Sequence, residues 1–319
     1  MMNYDQNLII EVARMYYEAK LSQFEISQRV RCSRSTVSRM LKCAEESGFV
    51  QVVVIDPSNN IKDLEGRMKA LFGLKDVQII SSRGDDVRRV RANLGKAGAE
   101  YLVSILKPRD MLGVAWGYTT LEIAKHMPEF HAEISTVVSI GGCTYEHVMD
   151  ESMFDMLHIF ARKLAAPLRM LYTPIIVSSV EAKRAYLSDR NTSLVMEYID
   201  RCNIVINGIN YLGKHSLIYQ YGYVSESEIE ALRAKGAVGN FCSRYFDIEG
   251  NEVDQDLRER TIGISAESMR EKEYSIGVAA GREKCAAILG MLKGRLINVL
   301  ITDVETAKSV LELYEASPR

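Results

Sequence analysis

Six residues between positions 34 and 42 carry side chains that hydrogen-bond well to nucleic acid. At helical spacing they would share the outer face of one helix: Arg34, Ser35, Thr36, Ser38, Arg39 and Lys42. Guanidinium, ammonium and hydroxyl groups are the ones that contact base edges and phosphates in the major groove of DNA. The sequence therefore predicts that these six residues bind DNA.

The residues around this face predict two short helices joined by a tight turn. Six apolar side chains at helical spacing are expected to form the core between the helices: Phe24, Ile26, Val30, Val37, Met40 and Leu41. Ser33 is a suitable N-cap for the second helix. Arg31 stands where such a turn often has glycine, so a positive φ there would be strained. Together these features describe a helix-turn-helix.

The charge distribution agrees with DNA contact by one face of the protein. Residues 20–43 contain six cations and one anion, a local charge of +5, whereas the whole chain carries −2. A run of cations is often only a solvated helix face, but here the cations coincide with helix-turn-helix spacing. A basic patch on a mildly acidic protein suits phosphate contact by that patch alone.

Elements on either side complete a small N-terminal domain. A helix is predicted over 5–19, and the β-branched run 49–55 predicts a strand or small hairpin that forms the wing of a winged helix-turn-helix. Polar residues with one proline then mark a boundary. We expect a DNA-binding domain over 1–57 and a second domain over 58–319.

An amphipathic linker helix is predicted directly after the boundary. Its apolar stripe is Ile61, Leu64, Met68 and Leu71. Helix-turn-helix proteins read DNA half-sites through two-fold symmetry, so this stripe is a candidate for pairing with its copy in another subunit. The sequence therefore predicts a dimer or tetramer.

Composition excludes several other classes of protein. At 319 residues and 47% hydrophobic, the chain is long enough for about two domains with a large core. It has no 18-residue apolar run and no secretory leader pattern, so a cytoplasmic protein is expected. Its six cysteines and five histidines are scattered without metal-ligand spacing. We expect neither a metal nor a cofactor.

Short apolar runs alternate with helical segments after position 77. Strands are predicted at 77–80, 111–115, 134–140, 168–172, 204–209, 237–245, 274–279 and 297–301. Helices are predicted at about 85–106, 119–127, 152–164, 191–200, 225–234, 283–293 and 303–315. Alternating strands and helices with continuously apolar strands predict a doubly wound, mostly parallel α/β domain.

Glycine-rich and polar segments follow several of these strands. They are 116–121, 141–142, 207–210, 244–250 and 281–284. Open parallel sheets bind ligands at the carboxyl ends of their strands, and a helix that begins there favours an anion. Most such glycines taken singly are only turn residues. Together they predict a site for a small phosphorylated polyhydroxy ligand.

Several motifs make the chain resemble the SorC/DeoR-type family of bacterial sugar-binding transcriptional regulators. They are Gln23-x-x-Ile26-Ser27, the runs 35–41 and 113–119, Phe246-Asp247-x-x-Gly250, Gly281-x-x-Lys284 and Leu300-Ile301-Thr302-Asp303-x-x-x-Ala307. The resemblance covers nearly the whole chain. It implies a winged helix-turn-helix joined to an effector domain similar to sugar-phosphate isomerases and deaminases, with phosphosugar effectors and dimers or tetramers on operator DNA.

The resemblance also implies which residues bind the effector. The full set is Gly117, Tyr118, Thr119, Thr120, Gly142, Gly208, Asp247, Gly281 and Lys284. Residues 117–120 would bind phosphate, Asp247 would take ligand hydroxyls, and Lys284 would take the anion or a carbonyl oxygen. Two positions depart from the family: Asn210 replaces a frequent glycine, and Tyr118 replaces glycine or arginine.

Two other functions fit parts of the sequence. Because the effector domain is expected to resemble sugar-phosphate isomerases and deaminases, one alternative is such an enzyme with an appended DNA-binding domain. Such an enzyme needs a general base, and Asp247 could serve. However, none of the five histidines follows a strand beside the glycine turns. A regulator that binds no sugar and responds only to self-association is the third alternative, and the glycine-lined strand ends argue against it.

Overall fold

The computed structural model describes residues 5–50, 61–82, 86–131, 133–142, 151–213, 217–220, 222 and 224–316. The chain divides into two compact units, Met1–Ser58 and Asn59–Arg319. The predicted wing lies outside the described residues from position 51 onward, so the wing and the boundary between residues 57 and 58 stay predictions. Among the described helices, none combines the length and apolar character that a membrane span requires.

The described residues of the N-terminal unit form three helices. They are α1 (Gln6–Tyr17), α2 (Gln23–Arg29) and α3 (Arg34–Glu46). Its core contains the buried side chains Ile9, Val12, Ala13, Ile26, Val37, Met40, Leu41 and Ala44. The prediction that Phe24 faces this core is wrong, since its side chain is 64% exposed. Residues two apart in a helix point about 200° away from each other, so Phe24 and the fully buried Ile26 cannot share a face.

Within its described residues, the C-terminal unit contains two sheets. The strands are β1 (Asp76–Ile80), β2 (Met111–Val114), β3 (Thr136–Ser139), β4 (Leu168–Arg169), β5 (Ile204–Gly208), β6 (Asn210–Tyr211), β7 (Gly239–Phe241), β8 (Arg244–Phe246), β9 (Tyr274–Val278) and β10 (Val299–Asp303). Seven of them form one sheet in the order β1-β10-β9-β5-β2-β3-β4, and every pair is parallel. The predicted parallel α/β fold is confirmed.

Helices pack against the two sheets. They are α4 (Ile61–Phe72), α5 (Val87–Ile105), α6 (Tyr118–His126), α7 (Glu151–Lys163), α8 (Val180–Ser188), α9 (Arg190–Arg201), α10 (Leu217–Gln220), α11 (Glu226–Ala234), α12 (Gln255–Arg260), α13 (Ala266–Glu271), α14 (Cys285–Lys293) and α15 (Val304–Ala316). Alternate residues of one strand enter different cores: Ile204 and Ile206 pack in one cluster and Val205 in another. Both faces of the sheet are therefore covered, as in a doubly wound fold.

The segment 237–245 corrects the sequence-based assignment. It is not a strand of the parallel sheet, because β7 and β8 form an antiparallel hairpin that pairs with β6 in a separate three-stranded sheet. Cys242 and Ser243 occupy the hairpin turn with φ values of 44° and 63°. Two successive residues with positive φ are typical of a tight two-residue hairpin turn.

Helix α4 also corrects a prediction. Its Met68 is fully buried in the core of the C-terminal unit, and Ile61 and Leu64 pack against the same cluster. Leu71 is the most exposed residue of the predicted stripe, at 40%. The face expected to pair with a second subunit is thus partly covered by the same chain. An amphipathic pattern shows that one helix face is buried, but it does not identify the partner.

Candidate functional site

The turn before α3 has the geometry that the sequence predicted. Arg31 adopts a left-handed φ of 50°. Ser33 is the N-cap of α3, and its Oγ accepts a hydrogen bond from the Thr36 backbone N–H at 3.1 Å. Ser27 of α2 is buried and donates to the Phe24 carbonyl at 2.7 Å. The Ser33 cap fixes where α3 begins and therefore where its outer face points.

Helix α3 exposes a polar and basic face. Five of the six predicted residues are exposed on it: Arg34, Ser35, Ser38, Arg39 and Lys42. The Arg39 Nε donates to the Ser35 carbonyl at 3.3 Å, an interaction that leaves the terminal nitrogens of the guanidinium available. Thr36 differs, because it is half-buried and its Oγ1 lies 2.8 Å from the Ser33 Oγ. Thr36 therefore contributes to the cap rather than to the exposed face.

The C-terminal unit has a cavity of about 510 Å³ at the carboxyl ends of β2, β5, β9 and β10, which we term the rim cavity. Six of the nine residues expected to bind the effector line it: Gly117, Tyr118, Thr119, Gly208, Gly281 and Lys284. They come from three separate strand ends. The sheet brings them together because neighbouring parallel strands end at the same edge.

The N-terminus of α6 opens into the rim cavity. Gly117 is the N-cap and provides no side-chain hydrogen bond to the first turn. The backbone N–H groups of that turn therefore keep their capacity to bind an anion. Thr120 does not line the cavity: it is fully buried, and its Oγ1 donates to the Ala115 and Gly117 carbonyls at 2.9 and 2.8 Å. Its role is to hold the turn.

A second helix start lies at the rim cavity beside α6. Gly281 has a φ of 123°, a conformation that favours glycine, and its N–H donates to the Thr306 Oγ1 at 2.8 Å. Lys284 is half-buried at the end of the following turn. Burial lowers the pKa of Lys284, the Glu283 carboxylate raises it, and the Arg91 guanidinium lowers it. Within the described residues, the Lys284 ammonium forms no ion pair.

Gly142 and Asp247 lie away from the rim cavity. The Gly142 N–H donates to the Ile262 carbonyl at 3.2 Å. Asp247 follows β8, and its Oδ1 accepts from the backbone N–H groups of Glu249 and Asn251, both at 2.9 Å. β8 belongs to the separate antiparallel sheet, and neither Gly142 nor Asp247 is among the residues that line the rim cavity. The structure therefore does not support an effector contact by Asp247.

Several cavity residues were missed by reasoning from strand ends. One wall of the cavity is the first half of α5, which contributes Val87, Val90, Arg91 and Leu94. Glu283 and Asp303 supply two carboxylates. Asp303 is buried and accepts from the Ser82 hydroxyl and from the Thr306 N–H. Asp303 is the last residue of the parallel strand β10, so the same rule applied to β10 would have found it.

No group of three or more histidine, cysteine, aspartate or glutamate side chains among the described residues is arranged to hold a metal ion. The described cysteines, Cys32, Cys43, Cys202, Cys242 and Cys285, are free thiols.

Comparison with known proteins identifies the family. The family described as "Putative sugar-binding domain" matches residues 56–312. The chain belongs to this sugar-binding domain family. The chain is 34% identical to the deoxyribonucleoside regulator of Bacillus subtilis (strain 168) over 307 residues. The match covers 96% of this chain and 97% of that relative. The sorbitol operon regulator of Klebsiella pneumoniae is 29% identical over 310 residues, with coverage of 97% and 98%.

The sugar-binding domain family also accounts for the fold. The crystal structure of the full-length sorbitol operon regulator SorC from Klebsiella pneumoniae superimposes with a TM-score of 0.78 at 28% identity. The match covers 97% of this chain and all of that one. These relatives are SorC/DeoR-type transcriptional regulators. The resemblance stated from the motifs, and the predicted function class of a transcriptional regulator with a sugar-binding domain, are therefore confirmed.

Proposed function

We propose that this protein binds operator DNA through α3 and is controlled by a phosphorylated sugar or polyol that binds in the rim cavity. One observation carries the choice of ligand. The uncapped N-terminus of α6 and the Lys284 ammonium line the same cavity. Backbone N–H groups at a helix start together with a cation form a site suited to phosphate.

The phosphate end of this site is formed by Gly117, Tyr118, Thr119 and Lys284. Thr119 adds a hydroxyl, and Lys284 adds a charge-assisted hydrogen bond. The sugar end is formed by the polar groups farther along the lining, among them Asn210 and Glu283, which can bind hydroxyls. Gly208 and Gly281 allow the backbone to approach the ligand.

DNA contact is assigned to the exposed face of α3. Arg39 and Arg34 are the candidates for bidentate contacts to bases, and Ser35, Ser38 and Lys42 are candidates for bases or phosphates. This assignment rests on the exposure of these side chains and on the fixed start of the helix. It implies a cytoplasmic protein, because operator DNA lies in that compartment of a bacterial cell.

The proposal includes no catalysis. The cavity carboxylate Asp303 already accepts two hydrogen bonds within the protein, from Ser82 and from the Thr306 backbone. The other carboxylate, Glu283, is exposed to solvent. Neither arrangement is typical of a general base held ready beside a substrate carbon. Incubation with pentose and hexose phosphates, followed by chromatography of the products, would detect turnover and would then favour the isomerase or deaminase alternative.

We also propose that the protein works as a dimer or tetramer. DNA reading by a helix-turn-helix benefits from two-fold symmetry. The proposed interface does not include helix α4, since Met68 is buried within its own unit. Light scattering at micromolar concentration tests the state, and a monomer that binds operator DNA specifically would contradict the proposal.

Calorimetry with a panel of sugar phosphates and their unphosphorylated sugars tests the effector proposal. We expect one or more phosphorylated compounds to bind and the matching free sugar to bind poorly. Lys284→Ala should weaken the binding, whereas the control Lys125→Ala should not, because Lys125 lies in the last turn of α6 and pairs with Glu122. Equal affinity for the free sugar, untouched by Lys284→Ala, would contradict the proposed phosphate site.

A further inference from the structure

Arg91 lies in the rim cavity beside the N-terminus of α6. It is half-buried on the first half of α5 and lines the cavity together with Tyr118 and Lys284. Its guanidinium carbon lies 5.3 Å from the centroid of the Tyr118 ring. This distance is typical of a cation–π contact, so the ring holds the guanidinium at the first residue of α6.

The packing of α5 on α6 explains this position. A Cβ atom at Gly95 would lie 2.7 Å from the Glu122 Cβ, and one at Gly98 would lie 2.8 Å from the Ile123 Cγ1. The two helices therefore approach as closely as two glycines permit. Arg91 is one helical turn before Gly95, and Tyr118 is one turn before Glu122. The close contact thus sets the register that places Arg91 over Tyr118.

The charge of Arg91 is not neutralised by an ion pair within the part of the chain that the structure describes. The two cavity carboxylates, Glu283 and Asp303, form no ion pair with Arg91 or Lys284. The two cations are also near enough to affect each other, since Arg91 contributes to lowering the pKa of Lys284. Two unpaired cations at an open helix N-terminus attract a doubly charged anion more strongly than a singly charged one.

We infer that Arg91 is a second phosphate-binding cation of the rim cavity, and that with Lys284 it selects ligands that carry a phosphate monoester dianion. This inference rests on the proposed effector site. Tyr118 is a positioning residue, because its ring holds the guanidinium. The aromatic ring of Tyr118 thus presents an arginine from α5 to the start of α6. Singly charged groups, such as a sulfate ester, a carboxylate or a phosphodiester, are expected to bind less tightly.

Two small probes that differ in charge test the inference on the full chain. Ethyl phosphate is a dianion at pH 8, and ethyl sulfate is a monoanion. Binding can be followed at constant ionic strength through the fluorescence of Trp116, the only tryptophan in the chain, which directly precedes Gly117. The wild-type protein should prefer ethyl phosphate by about 10-fold or more.

Substitutions of Arg91 should change this preference. Arg91→Gln should lower the affinity for ethyl phosphate about 10- to 100-fold and bring the two probes closer in affinity. Arg91→Lys should keep part of the preference, because the charge remains. Arg88→Gln is the control, since it removes the same charge from an exposed position of α5 outside the cavity. Tyr118→Phe should keep the preference and Tyr118→Leu should reduce it.

The possible failures are distinguishable. If Arg91→Gln leaves affinity and preference unchanged while Lys284→Gln abolishes phosphate binding, the role of Arg91 is overturned and the proposed phosphate site stands. If the wild-type protein binds neither ethyl phosphate nor any sugar phosphate, the proposed effector site is overturned and the role of Arg91 with it. Thermal unfolding of each variant, compared with the wild type, separates lost contacts from lost folding.

Discussion

The backbone of Gly95 in α5 packs directly against the backbone of Glu122 in α6. A Cβ atom at position 95 would lie 2.8 Å from the Glu122 carbonyl carbon and 2.9 Å from its oxygen. Backbone atoms cannot move aside as a flexible side chain can, so any larger residue at position 95 must separate the two helices. Helix α5 forms one wall of the rim cavity, and helix α6 contributes its open N-terminus. Their spacing therefore matters for both stability and binding.

Gly95→Ala should destabilise the protein by about 1–3 kcal/mol, because the added methyl group overpacks a close helix contact. Urea unfolding of the wild type and the variant measures this difference. Gly66→Ala in α4 is the matched control, since nothing lies within 4 Å of a Cβ atom there. Alanine is favoured over glycine inside a helix, so the control should be neutral or more stable by up to about 1 kcal/mol. Equal effects at both positions would contradict the close approach.

Adjacent threonines at the start of α6 should respond differently to removal of the hydroxyl. Thr119→Val should weaken phosphate binding with little change in the unfolding free energy, because Thr119 lines the cavity. Thr120→Val should destabilise the protein by about 1–2 kcal/mol, because its hydroxyl bonds two carbonyls in the turn. Calorimetry and urea unfolding of both variants check the pair. A reversed pattern would mean that Thr120 rather than Thr119 meets the ligand.

Arg39→Ala should weaken operator binding by about 1–3 kcal/mol if Arg39 contacts a base, and should reduce discrimination against changed operator positions. Lys42→Ala should weaken binding to all sequences and lower the salt dependence by about one unit of slope if Lys42 contacts a phosphate. Fluorescence anisotropy with labelled DNA at several salt concentrations measures both effects. Arg190→Ala, at the exposed start of α9, is the control for loss of charge. Unchanged affinity in Arg34→Ala/Arg39→Ala would remove α3 from the recognition role.

Thiols with a raised pKa should react slowly with alkylating reagents. Burial raises the pKa of Cys202 to about 11 and that of Cys242 to about 12. The reactive thiolate is therefore scarce at pH 8 in the folded protein. Cys32, Cys43 and Cys242 are all half-buried, but the pKa of Cys242 is raised. We therefore expect iodoacetamide to modify Cys32 and Cys43 before Cys242 and Cys202, as mass spectrometry of digested samples would show. In urea the ordinary thiol pKa is restored, and all four should react at similar rates.

The raised thiol pKa values also predict that the free energy of unfolding decreases as the pH rises. The folded state keeps the protons of Cys202 and Cys242 at a pH where the unfolded chain begins to lose them. Their contribution to stability is therefore fully present below the unfolded-state pKa of about 8.5 and is lost as the pH rises toward 11 and 12. Cys202→Ala should reduce the slope of unfolding free energy against pH in this range.

The sequence predicted the features that depend on neighbours along the chain. Ser33 is the N-cap of α3, and the glycine turns at Gly117 and Gly281 lie beside one cavity, because short-range hydrogen bonding and parallel strand ends decide these positions. The rule about strand ends failed at Asp247. The rule assumes that every strand joins the parallel sheet. Because the chain turns back at Cys242 and Ser243, β8 pairs with β7 in the separate antiparallel sheet.

Residues that helix packing brings to the cavity could not be predicted from the sequence pattern. Arg91 reaches the site because Gly95 and Gly98 let α5 approach α6. Two glycines three apart in a helix are a signal of close packing, but they do not name the helix that is approached. The sequence also could not show what Met68 packs against, since an apolar stripe can be buried by a second subunit or by the same chain. Tertiary contacts decided both cases.

Helix α4 belongs structurally to the C-terminal unit and is not an independent linker. Besides the burial of Met68, its Glu65 accepts a hydrogen bond from the Ile79 N–H of β1 at 2.9 Å, and Arg67 forms an ion pair with Glu315 of α15. The helix that was expected to link two domains is thus a structural part of one of them. A fragment that starts after Phe72 would lack a piece of its own core, whereas one that starts at Asn59 would retain it. Exchange of DNA-binding units between relatives, in the laboratory or in evolution, would therefore be tolerated only at junctions that precede Ile61.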